Sequence, residues 1–335
     1  MNTPCKQFSA KIFRVSARIR LVSAFILFTI LLPGQARSQN GALVLQTDFG
    51  LKDGAVAAMK GVAYSVAIGS ATGSITGLAT ETAFPTPRFQ IFDLTHEIPA
   101  FNTWEAAYRL WQAISYWPAG TVFVSVVDPG VGSDRKSVVA KTRSGHFIVT
   151  PDNGTLTMVA RVIGIDSLRQ IDEKINRLPG SAASYTFHGR DVYAYTGARL
   201  AGGIIRFSEV GPALSPEVVM IPFREAGFEA GYFHGSIPVL DEQYGNVWTN
   251  IPLSLLEENG VRVGDRLELQ VSKGSQILYR GVMIFGNTFS AVREGEPVAY
   301  ANSLLNLSFG INMGNLAERY KLSSGPEWQV RVRKL

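Results

Sequence analysis

A single cysteine, Cys5, is all the thiol the 335-residue chain holds, and it lies within the first few residues. The rest of the chain therefore has no disulfide, no thiolate nucleophile and no Cys-ligated metal. Histidine is nearly as scarce. His96, His146, His188 and His234 stand singly, whereas a metal-dependent phosphoesterase needs His and carboxylates in clusters. No repeat or low-complexity tract is visible, and 46% apolar with 18% charged residues is a globular balance. Acidic residues are missing altogether from positions 1–38.

That acid-free stretch has the layout of a secretory signal peptide. Lys6, Lys11, Arg14, Arg18 and Arg20 precede an apolar run of twelve residues, Leu21 to Leu32, followed by Pro33, Gly34 and the small residues Ala36 and Ser38 around Arg37. A membrane-crossing helix needs about 20 apolar residues, so the run is too short to span. The expectation is export to the periplasm or outside the cell, with no membrane attachment after cleavage. Without these six basic residues the balance is 26 Lys/Arg against 27 Asp/Glu, a net of −1. The chain's basicity thus belongs to the leader and is no sign of nucleic-acid binding.

Downstream, strands alternate with helices. Gly41 to Thr47, Phe89 to Leu94 and Thr121 to Val127 read as strands, and Ser137 to Ala140 with Phe147 to Thr150 as a hairpin pair. Helices are expected from Gly54 to about Ala67, from Asn102 or Thr103 to about Tyr116, and from Arg190 to about Leu200. Residues 68–88, rich in Gly, Ser, Thr, Ala and Pro, read as an inserted loop. This pattern predicts an α/β domain with a largely parallel sheet over 39–201. Residues 202–229 read as a connection. Residues 230–335 read as a small all-β, barrel-like domain with strands at Phe233–Leu240, Arg266–Val271, Gln276–Met283 and Phe289–Val292.

Polar residues gather just past the strands: Asp48; Asp93 and His96; Asp128 and Arg135; Asp152 and Asn153. In open α/β sheets the ligand crevice lies outside the carboxyl ends of the strands, so these can converge on one pocket; as single residues they equally make turns. Thr186-Phe187-His188-Gly189-Arg190-Asp191 is a second cluster, in which His188 can be a base, a ligand or a buried structural group and Asp191 a helix N-cap. Asp241 to Asn250 places an acid, an amide and an indole on one turn.

Six ordered motifs carry a resemblance: Thr47-Asp48-Phe49-Gly50, Asp93-Leu94-Thr95-His96-Glu97-Ile98-Pro99, Val127-Asp128-Pro129-Gly130-Val131-Gly132, Pro151-Asp152-Asn153-Gly154, Thr186 to Asp191, and Gly245-Asn246-Val247-Trp248-Thr249-Asn250. Over about 41–335 the chain resembles the S-adenosyl-L-methionine (SAM) hydroxide adenosyltransferases, adenosine-forming SAM hydrolases related to the fluorinating and chlorinating SAM enzymes. The resemblance implies an α/β domain, a β-barrel-like domain and a homotrimer with SAM bound between subunits. It implies an Asp128–Arg135–His188 triad at the nucleophile, which the halogenases lack. It also implies substrate contacts from Asp48 (ribose hydroxyls), Phe101 and Phe187 (ribose and sulfonium), Asp241 (methionine ammonium), Asn246 (adenine) and Ser303 (methionine carboxylate). No cofactor or metal is implied; SAM is the substrate.

The chain departs from the family pattern in four places. The 68–88 insertion is longer than usual. Leu304-Leu305-Asn306 replaces a common glycine, Tyr195-Thr196-Gly197 replaces a proline-containing run, and Ala55 stands where halogenating relatives carry serine. The expected reaction is in-line attack of activated water on C5′ of SAM, giving adenosine and methionine. A SAM-dependent halogenase and a non-catalytic exported nucleoside- or SAM-binding protein remain the alternatives.

Overall fold

The computed structural model describes residues 41–69 and 86–335; the leader and most of the inserted loop lie outside them. Two sheets organise these residues. The first joins β1 (Ala42–Thr47), β2 (Gln90–Thr95), β3 (Val122–Val126), β4 (Ser137–Thr142), β5 (Phe147–Pro151), β6 (Ile165–Gln170) and β7 (Ala213–Leu214) in the order β2-β1-β3-β5-β4-β6-β7. The first four strands of that order run parallel, and the pairs β5–β4, β4–β6 and β6–β7 are antiparallel. The sheet is therefore mixed rather than uniformly parallel.

Every residue of β3 and of β5 is buried, as expected of strands covered on both faces. Successive side chains point to opposite faces, so Leu43 and Leu45 pack with α1 (Ala55–Ala67). Val44 packs instead with Leu110 and Ile114 of α2 (Thr103–Ile114). The Asn102 side chain caps α2 by accepting from the Glu105 amide at 3.0 Å. A short helix, α3 (Thr157–Val162), shares that face through Val159. The segment after His188 winds first as a π-helical turn, Gly189–Ala194, and then as α4 (Tyr195–Ala201). Asp191 is buried inside that turn, bound by the Arg190 Nε at 2.6 Å, so it caps nothing.

Gly197 lets α4 sit directly on the sheet. A Cβ there would collide with Val124 Cγ2 and stand 3.3 Å from Leu43 Cδ1. Alanine normally stabilises a helix interior relative to glycine, but overpacking here outweighs that gain. Gly197→Ala is expected to lose about 1–3 kcal/mol in urea denaturation; an unchanged midpoint would show that α4 can move off the strands.

The second sheet holds β8 (Gly227–Glu229), β9 (Tyr232–Ile237), β10 (Val239–Asp241), β11 (Asn246–Pro252), β12 (Arg266–Lys273), β13 (Gln276–Phe285), β14 (Pro297–Ala301), β15 (Asn306–Ile311) and β16 (Gly325–Lys334). Their order is β10-β11-β15-β14-β13-β12-β16-β9-β8. Phe233, Val247, Leu269, Phe309 and Val332 share its core. The Asn250 Oδ1 of β11 accepts from the Ser236 amide of β9 at 2.7 Å, which brings distant members of the sheet together. Phe289–Ala291, expected as a strand, is a 3-10 turn: Thr288 caps it through its hydroxyl and bends the chain out of the sheet. Residues 202–229 are more than a connection, since β7 extends the first sheet and β8 the second.

The two halves meet through α2. Trp104 donates to the Pro238 carbonyl at 2.9 Å, Arg109 to the Leu240 carbonyl at 2.8 Å, and Trp104 and Tyr108 cluster with Val239. No helix among the described residues is long and apolar enough to cross a membrane.

Candidate active site

β1 has β2 on one side and β3 on the other, so the chain direction of the crossovers reverses there. A crevice outside the carboxyl ends of β1 and β3 follows from that switch. Asp48 follows β1 directly, and Asp128 lies two residues beyond β3. A cavity of about 240 Å³ opens between them, lined by Asp48, Phe49, Phe101, Asp128, Phe187 and His188 among others.

The Asp48 loop is braced from below. Thr47 Oγ1 pairs with His96 Nδ1 at 2.8 Å, and His96 Nε2 lies 3.0 Å from Asp93. The Gly50 amide donates to the His96 carbonyl at 2.7 Å. His96 is buried and structural, and Asp93, ion-paired to Lys60, lines a different cavity. These two residues do not join Asp48, because their side chains turn under the sheet end instead of into the crevice. Asp48 Oδ2 accepts the Phe101 amide at 2.8 Å, holding Phe101, a residue 71% exposed that lines the cavity, in the left-handed region (φ 68°). A non-glycine residue there costs about 1–3 kcal/mol, and such strain persists only where the surroundings impose it. Phe49 and Phe187 meet edge to face at 5.9 Å and form the apolar wall.

Arg135 clasps Asp128 with two donors, Nε on Oδ1 at 2.6 Å and Nη2 on Oδ2. Its remaining nitrogen donates to Ser137 Oγ at 3.1 Å, and Ser137 is tied to the Tyr193 hydroxyl at 3.0 Å. The two side chains are 10% and 6% exposed, so the bidentate pair is largely shielded from water. Asn153 fixes the same loop by donating to the Val127 carbonyl at 2.8 Å. His188 is buried, with Nδ1 3.4 Å from Arg135 Nη2 and Nε2 3.0 Å from Arg177 Nη2. Burial first, then the neighbouring guanidiniums of Arg177 and Arg135, hold His188 below its ordinary pKa, against the pull of Glu173 and Asp128. A neutral imidazole is the result at pH 7.

Asp128, Arg135, His188, Asp48, Phe101 and Phe187 are thus gathered around one crevice. Asp241 and Asn246 form a separate pair on the second sheet, Asn246 Nδ2 donating to Asp241 Oδ2 at 3.0 Å. Ser303 is exposed in a turn shaped by Asn302, whose Oδ1 accepts from Leu304 and Asn306 amides. None of these three lines the crevice. Arg177 and Glu173, which contact the His188 environment, carry no motif in the sequence. Among the described residues no group of three or more His, Cys, Asp or Glu can hold a metal ion.

Comparison with known proteins adds to this geometry. The profile of the SAM hydroxide adenosyltransferase N-terminal domain matches residues 43–211, and that of the C-terminal domain residues 235–329. A protein of Salinispora tropica named (R)-S-adenosyl-L-methionine hydrolase is 32% identical over 288 residues, covering 85% of this chain and 95% of that one. One of the same name from Methanocaldococcus jannaschii is 42% identical over 158 residues, 47% of this chain and about half (52%) of that protein. A crystal structure of an uncharacterized conserved protein from Thermotoga maritima superposes with a TM-score of 0.73 at 29% identity, covering 87% of this chain and 99% of that one.

Proposed function

The chain belongs to the SAM hydroxide adenosyltransferase family, and from that premise we propose that it is an exported enzyme that hydrolyses SAM to adenosine and L-methionine. The observation that carries this is the buried Asp128–Arg135 clasp beside a neutral His188, opening onto a crevice walled by Phe49, Phe101 and Phe187. A protein that only binds a nucleoside has no use for a shielded carboxylate and a neutral imidazole lining the same crevice.

The chemistry suits these groups. The sulfonium is already cationic, so methionine leaves as a neutral thioether without needing a proton or a metal. The nucleophile is the weak partner, and a water held in line with the C5′–S bond gains most from positioning. Asp128 and His188 are the polar groups placed to bind that water, and Arg135 favours hydroxide character by neutralising charge. Attack at C5′ is an SN2 displacement: the O–C5′ bond forms, the C5′–S pair leaves to sulfur, and one water proton is released. Asp48 takes the ribose hydroxyls, accepting from both. Phe101 and Phe187 lie against the ribose and the cation.

The crevice is smaller than the roughly 300–1,000 Å³ of ordinary ligand sites, and Phe101 and Val131 are exposed at or near its rim. Both features favour a homotrimer, with Asp241, Asn246 and Ser303 of a neighbouring subunit completing the adenine and methionine ends. In this reading the second sheet curls into a barrel-like domain, the halves divide near residues 202–229, and residues 1–38 are removed on export.

The test uses the chain from Gln39 with SAM in ¹⁸O-water, without added metal, and with chloride or fluoride in parallel arms. Adenosine carrying ¹⁸O together with free methionine is the expected outcome, abolished or greatly reduced in His188→Ala. A 5′-halo product would place the chain with the halogenases, and SAM bound but unconverted would make it a binding protein.

A further inference from the structure

His188 is enclosed by donors on both sides. Arg177 Nη2 lies 3.0 Å from Nε2, and Arg135 Nη2 lies 3.4 Å from Nδ1. A guanidinium has no lone pair to offer, so whichever ring nitrogen faces it closely must be the bare, accepting one. The shorter contact decides: Nε2 accepts from Arg177, and the single proton of the neutral ring sits on Nδ1, whose 3.4 Å separation from Arg135 is too long to require an acceptor there.

Arg177 is built to hold that position. Its side chain is 8% exposed. Glu173 takes its Nε at 3.3 Å and Nη2 at 2.8 Å, Nη1 reaches the Ser184 carbonyl at 3.3 Å, and the guanidinium lies over the Tyr185 ring at 4.5 Å. Tyr185 in turn meets His188 edge-on at 6.1 Å. The charged groups that face the imidazole are therefore Arg177 and Glu173 on one side and Arg135 and Asp128 on the other.

We propose that Arg177, anchored by Glu173, is a positioning residue that fixes His188 as the Nδ1–H tautomer, so that the proton of the attacking water passes to Asp128 while His188 donates a hydrogen bond to the water oxygen. This rests on the hydrolase function proposed above. The balance is simple. Water loses one proton to a carboxylate oxygen of Asp128, its oxygen bonds to C5′, and the C5′–S electron pair departs on methionine sulfur. Asp128 then returns the proton to solvent. The ring partner that fixes a tautomer is a familiar determinant of histidine chemistry, and a wrong tautomer alone can be disabling.

The tautomer is measurable without turnover. Long-range ¹H–¹⁵N spectra of the mature chain labelled at histidine, assigned against His188→Gln, are expected to show Nδ1 protonated and Nε2 bare for His188 above pH 7. In Arg177→Met, which has no donor, the pattern reverses or averages. Kinetics with SAM give the second reading. In Arg177→Met, kcat falls by on the order of tenfold or more. A new acid limb also appears near the ordinary histidine range of about 6.5, because an imidazolium now forms beside the sulfonium and raises KM. Arg177→Lys, which keeps a donor, restores the profile in part.

An Nε2–H tautomer in the unmodified protein overturns the proposal, as does an Arg177→Met pH profile that superposes on the parent's. If the unmodified protein binds SAM without turning it over, the hydrolase reading fails, and the spectra alone still decide the tautomer.

Discussion

Asp128→Asn is expected to reduce kcat for SAM hydrolysis by about 10²–10⁴-fold, the range of a lost general base, with KM changed little. The substitution keeps the shape of the side chain and removes its charge and one acceptor. In the proposed mechanism Asp128 faces the nucleophile and other groups grip the ribose and methionine, so ground-state binding is spared. The fold is weakened, because Arg135 loses its counter-charge, but the amide oxygen of the replacement side chain can still accept one hydrogen bond from Arg135, which keeps its bond to Ser137. Steady-state rates of adenosine release, with SAM binding measured in parallel by calorimetry, check both halves. A variant with kcat within about threefold of the parent, far short of the loss expected for a general base, would remove Asp128 from proton transfer.

Much of this site was readable because it depends on local features. Asp48 and Asp128 sit at strand ends in runs that announce a turn, Asp48-Phe49-Gly50 and Asp128-Pro129-Gly130, and the parallel order of the strands then brings them together. His188 stood out as one of only four histidines. Arg177 did not, since its contact with His188 depends on the tertiary path of the chain between them, and nothing in Asn176-Arg177-Leu178-Pro179 signals that path. His96 shows the opposite case. It follows a strand as Asp48 does, yet its ring turns inward to Thr47, and strand position alone does not distinguish a crevice residue from a brace.

The second sheet was legible as β structure but not strand by strand. β14 and β15 contain Pro297, Asn306 and Gly310, which mute a strand signal. Gly310 is required there, because a Cβ would collide with Asn246 Oδ1. Phe289 and Val292 suggested a strand by composition, and the Thr288 cap overrode it. In both places a side chain from elsewhere in the fold, or a cap, decided the outcome, and local propensity does not contain that information.

Arg135→Met is expected to destabilise the fold by about 3–5 kcal/mol, the cost of leaving a buried charge without its partner, and to abolish turnover. Asp128 is 6% exposed, and the carboxylate loses both bonds from the guanidinium. Ser137 loses the Nη1 donor at the same time, although Tyr193 remains to it. Arg135→Lys should recover little, since one ammonium cannot reproduce a planar fork that reaches Asp128 twice and Ser137 once. The cause can be separated from lost packing by a double-mutant cycle in urea. If the unpaired carboxylate is the origin of the loss, adding Asp128→Asn to Arg135→Met returns part of the stability, so the double variant is firmer than the single one. A double variant weaker than Arg135→Met would mean that the arginine acts through its packing over Tyr193, 5.8 Å from the ring centre, and that the ion pair serves the chemistry without holding the fold.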